Sequence, residues 1–127
     1  MGREDHLTRQ INQLGYFLRK MLEKLIEAKQ NGVAPETVYS VNTVLMEEMG
    51  IDLAFMDTET EEELLSFLKQ SSAFTPANLE LMADVLIAIN PEKYVAKALF
   101  LYDYVNTKTK EFSFEREAKI KEVQQYL

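Results

Sequence analysis

The sequence has 127 residues but no cysteine, no tryptophan, a single histidine and only four glycines. Without a thiol, disulfide bonds, cysteine nucleophiles and thiolate metal sites are excluded. The one histidine, His6, cannot supply the histidine pairs of helical zinc or di-iron sites. The glycines form no phosphate-binding loop, and no Gly-x-Ser-x-Gly nucleophile motif is present. We therefore expect a protein that is not an enzyme and that uses no cofactor and no metal.

A long hydrophobic run is also missing. The longest strongly apolar stretch is Val85–Ile89, whereas a helix that crosses a bilayer needs roughly 20 apolar residues. The first residues, Met1–His6, are polar and do not form a secretory leader. The lack of cysteine fits a reducing compartment. We expect a cytoplasmic protein that has no contact with a membrane.

The net charge of −7 is concentrated in the middle of the chain. Residues 33–90 contain eleven acidic residues and one lysine, whereas the two flanking segments are close to neutral. Binding to DNA or RNA requires a basic face that neutralises phosphates. The charge pattern therefore argues against a nucleic acid partner. We interpret the acidic middle as a solvated surface, with a cationic ligand as the alternative.

Helical periodicity is what the sequence does contain, and it is strongest at the start. Apolar residues recur at alternating intervals of four and three along a first predicted helix over about 5–29. The members of this stripe are Leu7, Ile11, Leu14, Leu18, Met21 and Leu25. Such a stripe predicts packing against other helices, either of the same chain or of a second copy in a homodimer.

Further helices are predicted from caps and breaks over about 35–50, 58–70, 76–89 and 91–108. The apolar connection Ile51–Met56 is expected to tuck under the core. Asp57 or Thr58 is the expected cap of the third helix, and Thr75 is the expected cap of the fourth. Because the fourth helix is apolar on almost every side, we expect it to be the central one.

A last helix is predicted after Ser113, which is a suitable N-cap. Phe112 precedes the cap in the manner of a hydrophobic staple. The apolar residues that mark this helix are Phe114, Ile120, Val123 and Leu127.

Gly15 lies in the middle of the first predicted helix, where glycine costs about 1 kcal/mol relative to alanine. Two interpretations are open. Either the glycine is tolerated on the surface, or another helix crosses closely at this point and needs the space.

Short connections predict that the last four helices pair as two antiparallel hairpins, over about 58–89 and 91–126. Each hairpin has the size of a tetratricopeptide-type unit. The predicted fold is thus all-α, with one domain over 1–127. A long N-terminal helix packs beside antiparallel hairpins in a tetratricopeptide-like right-handed array.

Two parts of the sequence carry a resemblance to known proteins. Ala96–Tyr102, in which a small residue precedes an aliphatic and aromatic run, resembles the second helix of tetratricopeptide repeats. Arg9–Gly15 and Phe112–Ile120 are similar to the start and end of small uncharacterised all-helical proteins of bacteria, a family with a domain of unknown function. The resemblance implies a helical fold and a bacterial origin, and it carries over no site residues.

Aromatic residues of the fifth predicted helix are the candidate partner-binding residues, namely Tyr94, Phe100, Tyr102 and Tyr104. Such side chains bury much area at little entropic cost, which suits a binding surface. At helical spacing the same residues could instead belong to the core. On this basis we expect a helical protein–protein interaction module that accepts a peptide or helix from a partner.

Two alternatives to this function remain open. Carboxylates at Glu47, Glu48 and Asp52, or in Asp57–Glu63, could support a metal or small-molecule binding protein or an enzyme, although no calcium-loop pattern is present. Alternatively, the chain is a small regulatory subunit whose apolar patch is covered only within a larger complex.

Overall fold

The computed structural model describes residues 3–32 and 34–127, and residues 1, 2 and 33 lie outside this description. Within the described ranges the protein is all-helical, as predicted, with seven helices and no strand. The helices are α1 (Arg3–Asn31), α2 (Ala34–Met49), α3 (Leu53–Met56), α4 (Glu61–Lys69), α5 (Pro76–Ile89), α6 (Pro91–Thr109) and α7 (Phe114–Gln124). Six of them correspond to predicted helices, and the short α3 is an addition.

The apolar stripe of α1 packs mainly on the rest of the same chain. Three of its members are fully buried, namely Leu18, Met21 and Leu25. Leu14 packs against the same core, whereas Leu7 and Ile11 are only half-buried. The C-terminal part of the stripe is therefore already covered within the chain, because α1 lies along α2 and α5.

The central helix is α5, as predicted, because it packs against α1 on one side and α6 on another. The Thr75 hydroxyl caps its first turn by accepting a hydrogen bond from the backbone N–H of Asn78, and Pro76 follows the cap. Asn90 ends α5 and also caps α6. The fully buried apolar residues of α5 are Leu79, Met82, Ala83, Val85 and Leu86.

Gly15 marks a close approach of α1 to α5. A Cβ atom at position 15 would lie 3.0 Å from Oδ1 of Asn78, which is tighter than ordinary van der Waals contact. Asn78 is buried, and its Nδ2 donates to the backbone carbonyls of Ile11 (3.1 Å) and Ala73 (2.8 Å). The glycine thus leaves room for a bridging amide, and the close-crossing interpretation is confirmed.

The start of α4 differs from the prediction, and the expected cap at Asp57 or Thr58 is wrong. The cap is Thr60, whose hydroxyl accepts a hydrogen bond from the backbone N–H of Glu63. The Glu63 carboxylate accepts one in return from the backbone N–H of Thr60. This reciprocal capping box satisfies two backbone donors, whereas a cap further upstream would satisfy fewer.

The connection Ile51–Met56 lies under the core, as expected. Ile51, Leu53 and Met56 are buried. The second half of the segment forms α3, which Asp52 caps by accepting a hydrogen bond from the backbone N–H of Ala54. The predicted connection therefore contains a short capped helix, which the sequence analysis did not predict.

The helix pairing also differs from the prediction. α6 packs against α5, α4 and α7, and α4 packs chiefly against α6 rather than against α5. The expected hairpin over 58–89 therefore does not form a closely packed pair, whereas the hairpin over 91–126 does. The reason is that α5 is already flanked by α1 and α6. A tetratricopeptide-like array is not confirmed.

The start of α7 is confirmed, but its predicted staple does not form. Ser113 caps the helix by accepting a hydrogen bond from the backbone N–H of Arg116. Phe112 packs edge-to-face on Phe114, with ring centroids 4.7 Å apart, and both rings are exposed. A staple would need an apolar partner at the fourth helical position, which is Glu117.

The four apolar residues that mark the last predicted helix contribute unequally to the core. Val123 is buried, and Ile120 packs partly against the core. Phe114 and Leu127 are exposed, and Leu127 lies beyond the end of α7. α7 therefore attaches to the core through few apolar contacts.

Candidate functional site

The four aromatic residues predicted to bind a partner do not share one surface. Tyr94 and Tyr102 are core residues, only 2% and 1% exposed. Phe100 and Tyr104 are half-buried on another side of α6, where Nζ of Lys69 lies 5.1 Å from the centre of the Tyr104 ring. Two of the four are thus core residues, as the alternative interpretation held. Of the four, Tyr102 also lines a groove between α1 and α7.

That groove, termed the α1–α7 groove, has α5 and α6 as its floor and a volume of about 410 Å³. It exists because α1 packs mainly on α5 and α2, whereas α7 packs on α6. The two outer helices therefore leave a space between them. Its apolar lining is Leu22, Leu25, Ile26, Ile87, Ala88, Pro91, Val123 and Tyr126, and its polar lining is Lys29, Gln30, Asp84, Tyr102, Lys119 and Glu122.

A group of five polar side chains joins α7 to α5 and α6, and three of them, Asp84, Tyr102 and Lys119, also line the groove. We term it the inner cluster, and its members are Glu80, Asp84, Tyr102, Arg116 and Lys119. The two acids are four residues apart on α5, and the two basic residues are three apart on α7. Each pair therefore projects from one face of its helix.

Every charge in the inner cluster has a partner of opposite sign. Nζ of Lys119 donates to Oε2 of Glu80 (2.8 Å) and to Oδ2 of Asp84 (3.0 Å). Nε of Arg116 donates to Oε1 of Glu80 (2.9 Å). The Tyr102 hydroxyl donates to Oδ1 of Asp84 (2.5 Å). Pairing of this kind is what makes charged groups tolerable at low exposure.

The start of α7 is held in place by its cap and by Arg116. The Ser113 hydroxyl accepts a hydrogen bond from the backbone N–H of Arg116 at 3.1 Å. The Arg116 side chain is buried, and its Nη1 donates to Oδ1 of Asn106 (2.7 Å) on α6. This guanidinium therefore contacts both α5 and α6. These bonds fix the direction of α7 relative to the two helices.

Burial gives the two carboxylates different acid–base properties. At Asp84, burial raises the pKa and outweighs the hydrogen bonds from Tyr102 and Lys119, which lower it. At Glu80, burial also raises the pKa, but hydrogen bonds from Lys119 and Arg116 outweigh it, and the net pKa is lowered. Burial, followed by the nearby Asp84 carboxylate, raises the pKa of the Tyr102 phenol. Tyr102 therefore remains a protonated donor.

A second group of the same residue types lies near the start of α6. We term Asp57, Lys93 and Tyr94 the outer cluster. The Tyr94 hydroxyl donates to Oδ1 of Asp57 (2.7 Å), and Nζ of Lys93 lies 2.5 Å from Oδ2 of the same carboxylate. Burial raises the pKa of Asp57, but hydrogen bonds from Lys93 and Tyr94 outweigh it, and the net pKa is lowered. This cluster ties the segment before α4 to α6.

The carboxylates considered as an alternative metal site are not gathered together. Among the side chains that the structure describes, at 5–32 and 35–127, no group of three or more His, Asp or Glu residues is placed to hold an ion. Glu47 and Glu48 are exposed on α2, and Asp52 caps α3. Within Asp57–Glu63, the three glutamates at 61–63 occupy the first turn of α4, where the helix dipole favours negative charge. His6 is exposed on α1.

The inner cluster is not predicted from the sequence, although the sequence contains one signal for it. Glu80 and Asp84 are the only charged residues of α5, an otherwise apolar helix, and they are four positions apart. Charged residues on a buried helix require partners. Arg116 and Lys119 carried no such signal, because α7 is rich in charged residues throughout.

No protein-family model matches this chain, and no curated protein or solved structure matches it. In the part of the chain that the structure describes, no helix is both long enough and apolar enough to cross a membrane. Because the comparisons suggest no function, a functional proposal for this chain rests on the α1–α7 groove and its lining.

Proposed function

We propose that this protein is a non-enzymatic interaction module that binds an amphipathic helix of a partner protein in the α1–α7 groove. The observation that carries the proposal is the groove itself, in which two outer helices stand apart over a shared floor. Helices bind such grooves by inserting the apolar side chains of one face. Ile26 on the α1 wall is 47% exposed, and a partner helix would cover it.

The inner cluster supports this function because it holds the groove in shape. α7 buries few residues, Arg116 and Val123, so its position depends on the ion pairs of Arg116 and Lys119 with α5. These bonds have defined directions, unlike apolar contacts. A groove that is formed before binding loses less conformational entropy when the partner docks.

The bacterial origin, the cytoplasmic location, the tetratricopeptide-like class and the homodimer stay predictions from the sequence. For a homodimer through α1, the least covered members of the stripe are Leu7 and Ile11, since Leu18, Met21 and Leu25 are buried within the chain. A regulatory subunit of a larger complex would use the groove in the same way, with the partner helix supplied by that complex.

The test is photo-crosslinking in cells that express the protein. A crosslinking amino acid is placed at Gln30, which lines the groove, and separately at Lys108, which is exposed near the end of α6. We expect an adduct with another protein from position 30 and none from position 108. Equal adducts from both positions would contradict the proposal.

Two matched variants, each of which replaces an alanine by leucine, show whether the adduct depends on the groove. Ala88→Leu adds a side chain to the groove lining, whereas Ala96→Leu adds the same group at an exposed position of α6. We expect Ala88→Leu to abolish the adduct and Ala96→Leu to leave it unchanged. An adduct that survives Ala88→Leu argues against helix binding in the groove.

A second candidate function is small-molecule binding, which the size and lining of the groove favour. Its volume of about 410 Å³ falls in the range of roughly 300–1,000 Å³ that is typical of ligand pockets. Apolar walls around a few convergent polar groups are also typical of such sites. A native mass spectrum of the purified protein separates the candidates. A small added mass favours a bound molecule, a doubled mass favours a homodimer, and the bare chain favours the partner helix.

A further inference from the structure

The inner cluster leaves hydrogen-bonding capacity unused at the floor of the α1–α7 groove. Nζ of Lys119 has three N–H donors, and two of them are bonded to Glu80 and Asp84. Each carboxylate oxygen of Asp84 accepts one hydrogen bond, from Tyr102 or from Lys119, and has a further lone pair. Both Asp84 and Lys119 line the groove. A polar atom that enters the groove therefore meets one donor and one acceptor side by side.

The formal charges of the groove lining cancel. Lys29 and Lys119 are basic, and Asp84 and Glu122 are acidic. Asp84 and Lys119 are bonded to each other, so a charged group that reached these two side chains would lose its hydration without meeting an unpaired counter-charge there. The lining therefore suits a group that is uncharged but can both donate and accept a hydrogen bond. A hydroxyl group has these properties.

Building on the proposed function, we infer that the partner helix inserts a tyrosine side chain into the α1–α7 groove, with its hydroxyl donating to Asp84 and accepting from Lys119. The aromatic ring lies against the apolar walls, which include Leu22, Ile26 and Val123. A tyrosine combines a large apolar body with one polar end, as does the groove. Tyrosine is also among the residues that dominate binding energy at protein interfaces.

Competing anchors fit the lining less well. Phenylalanine fills the same space but displaces water from Asp84 and Lys119 without replacing its hydrogen bonds. Leucine does the same and makes a smaller apolar contact. Lysine or glutamate would bring a further charge beside Asp84 and Lys119, whose own charges already pair with each other. The inference therefore predicts that a ligand with a hydroxyl group binds more tightly than the same ligand without it.

The first experiment titrates four probes that share one ring and methyl group into the full chain. The probes are p-cresol, toluene, 4-methylbenzoate and 4-methylbenzylammonium, and binding is followed by amide and methyl NMR shifts. We expect p-cresol to bind about tenfold more tightly than toluene, because its hydroxyl bonds to charged groups. We expect both charged probes to bind more weakly than p-cresol. Equal affinity for toluene, or preference for a charged probe, overturns the inference.

Variants locate the bound probe. Ala88→Leu should abolish the p-cresol shifts, and the matched Ala96→Leu should leave them unchanged. Asp84→Asn should bring the p-cresol affinity down to that of toluene, because the anionic acceptor is lost. If Asp84→Asn does not fold, the comparison of Ala88→Leu with Ala96→Leu still tests whether p-cresol binds in the groove. Shifts that persist in Ala88→Leu place the probe elsewhere and overturn the inference.

The crosslinking test of the proposed function separates the two failures. If the crosslinked partner helix carries a tyrosine whose replacement by phenylalanine weakens binding about tenfold, both proposals are supported. If that helix binds through leucine or phenylalanine, the function stands and the tyrosine inference is overturned. If p-cresol is preferred but no protein is crosslinked, the partner tyrosine is overturned in favour of a free phenolic ligand.

Discussion

The inner and outer clusters use the same residue types in different surroundings. In each, a tyrosine of α6 donates its hydroxyl to an aspartate that a lysine also contacts, and the two sets are Tyr102–Asp84–Lys119 and Tyr94–Asp57–Lys93. The Asp84 side chain is 11% exposed and the Asp57 side chain is 27% exposed. This difference reverses the direction of the aspartate pKa, which is raised in the inner cluster and lowered in the outer one.

Burial and connectivity, rather than residue types, therefore determine the structural role of such a cluster. The outer cluster joins one segment to one helix. The inner cluster adds the Arg116–Glu80 pair and connects three helices beneath a groove. The same side-chain chemistry thus serves as an attachment at one place and as the support of the α1–α7 groove at the other.

The largest expected effect is the loss of Arg116. Arg116→Met leaves the Glu80 carboxylate with one partner at low exposure and should lower the free energy of unfolding by about 3 kcal/mol. Lys93→Met removes the cation of the outer cluster and should cost only about 0.5 kcal/mol, because that pair is more exposed. Urea denaturation followed by circular dichroism measures both. Equal losses would break the distinction between the clusters.

The next effect is the loss of each tyrosine hydroxyl. Tyr102→Phe removes a donor from the buried Asp84 and should lower the free energy of unfolding by about 2 kcal/mol. Tyr94→Phe should cost about 1 kcal/mol, since water can replace the donor at Asp57. The same denaturation experiment applies. A larger loss for Tyr94→Phe would mean that the outer cluster is the more critical one.

The pH dependence of stability should differ in sign between the two aspartates. The folded-state pKa of Asp57 is lowered, so its stabilisation is present above the unfolded pKa and is lost as pH falls through the folded pKa. The folded-state pKa of Asp84 is raised, so its contribution favours folding below the unfolded pKa and is lost as pH rises through the folded pKa. NMR titration of the two side-chain carboxyl carbons measures both values. Shifts in one common direction would refute the comparison.

The smallest effect is expected at an ion pair on the surface. Nζ of Lys20 lies 3.6 Å from Oε2 of Glu23, and both side chains are mostly exposed. Lys20→Met should change the free energy of unfolding by about 0.3 kcal/mol or less. Denaturation of this variant supplies the reference at the exposed end of the series. A cost equal to that of Lys93→Met would show that the outer cluster is an ordinary surface pair.

Much of the secondary structure could be predicted, because its signals are local. Thr75-Pro76 and Ser113 mark the starts of α5 and α7 through hydrogen bonds that span three residues. The predicted start of α4 is wrong because several residues near it can act as caps. The cap in the structure is Thr60, which is favoured by its pairing with Glu63. Local signals thus identify a helix more reliably than they identify its first residue.

The candidate site was less predictable than the helices. The aromatic residues of α6 were recognised, but whether each ring lies in the core or on the surface depends on which helices flank α6. The hydroxyl partners of Tyr94 and Tyr102 come from positions 37 and 18 residues away in the chain. No local pattern links residues at such separations.

Local signals in the sequence are enough to predict that the chain is helical, that α5 is central and that α1 carries an apolar stripe. Periodicity and capping act within a few residues and can be read directly. The packing of the helices, in contrast, is needed to see that Asn78 bridges α1 and α5 at Gly15 and that α1 and α7 stand apart. It is also needed to see that the basic residues of α7 pair with acids 35 to 39 positions earlier. These features depend on which helices pack together, and packing joins surfaces that are distant in the chain.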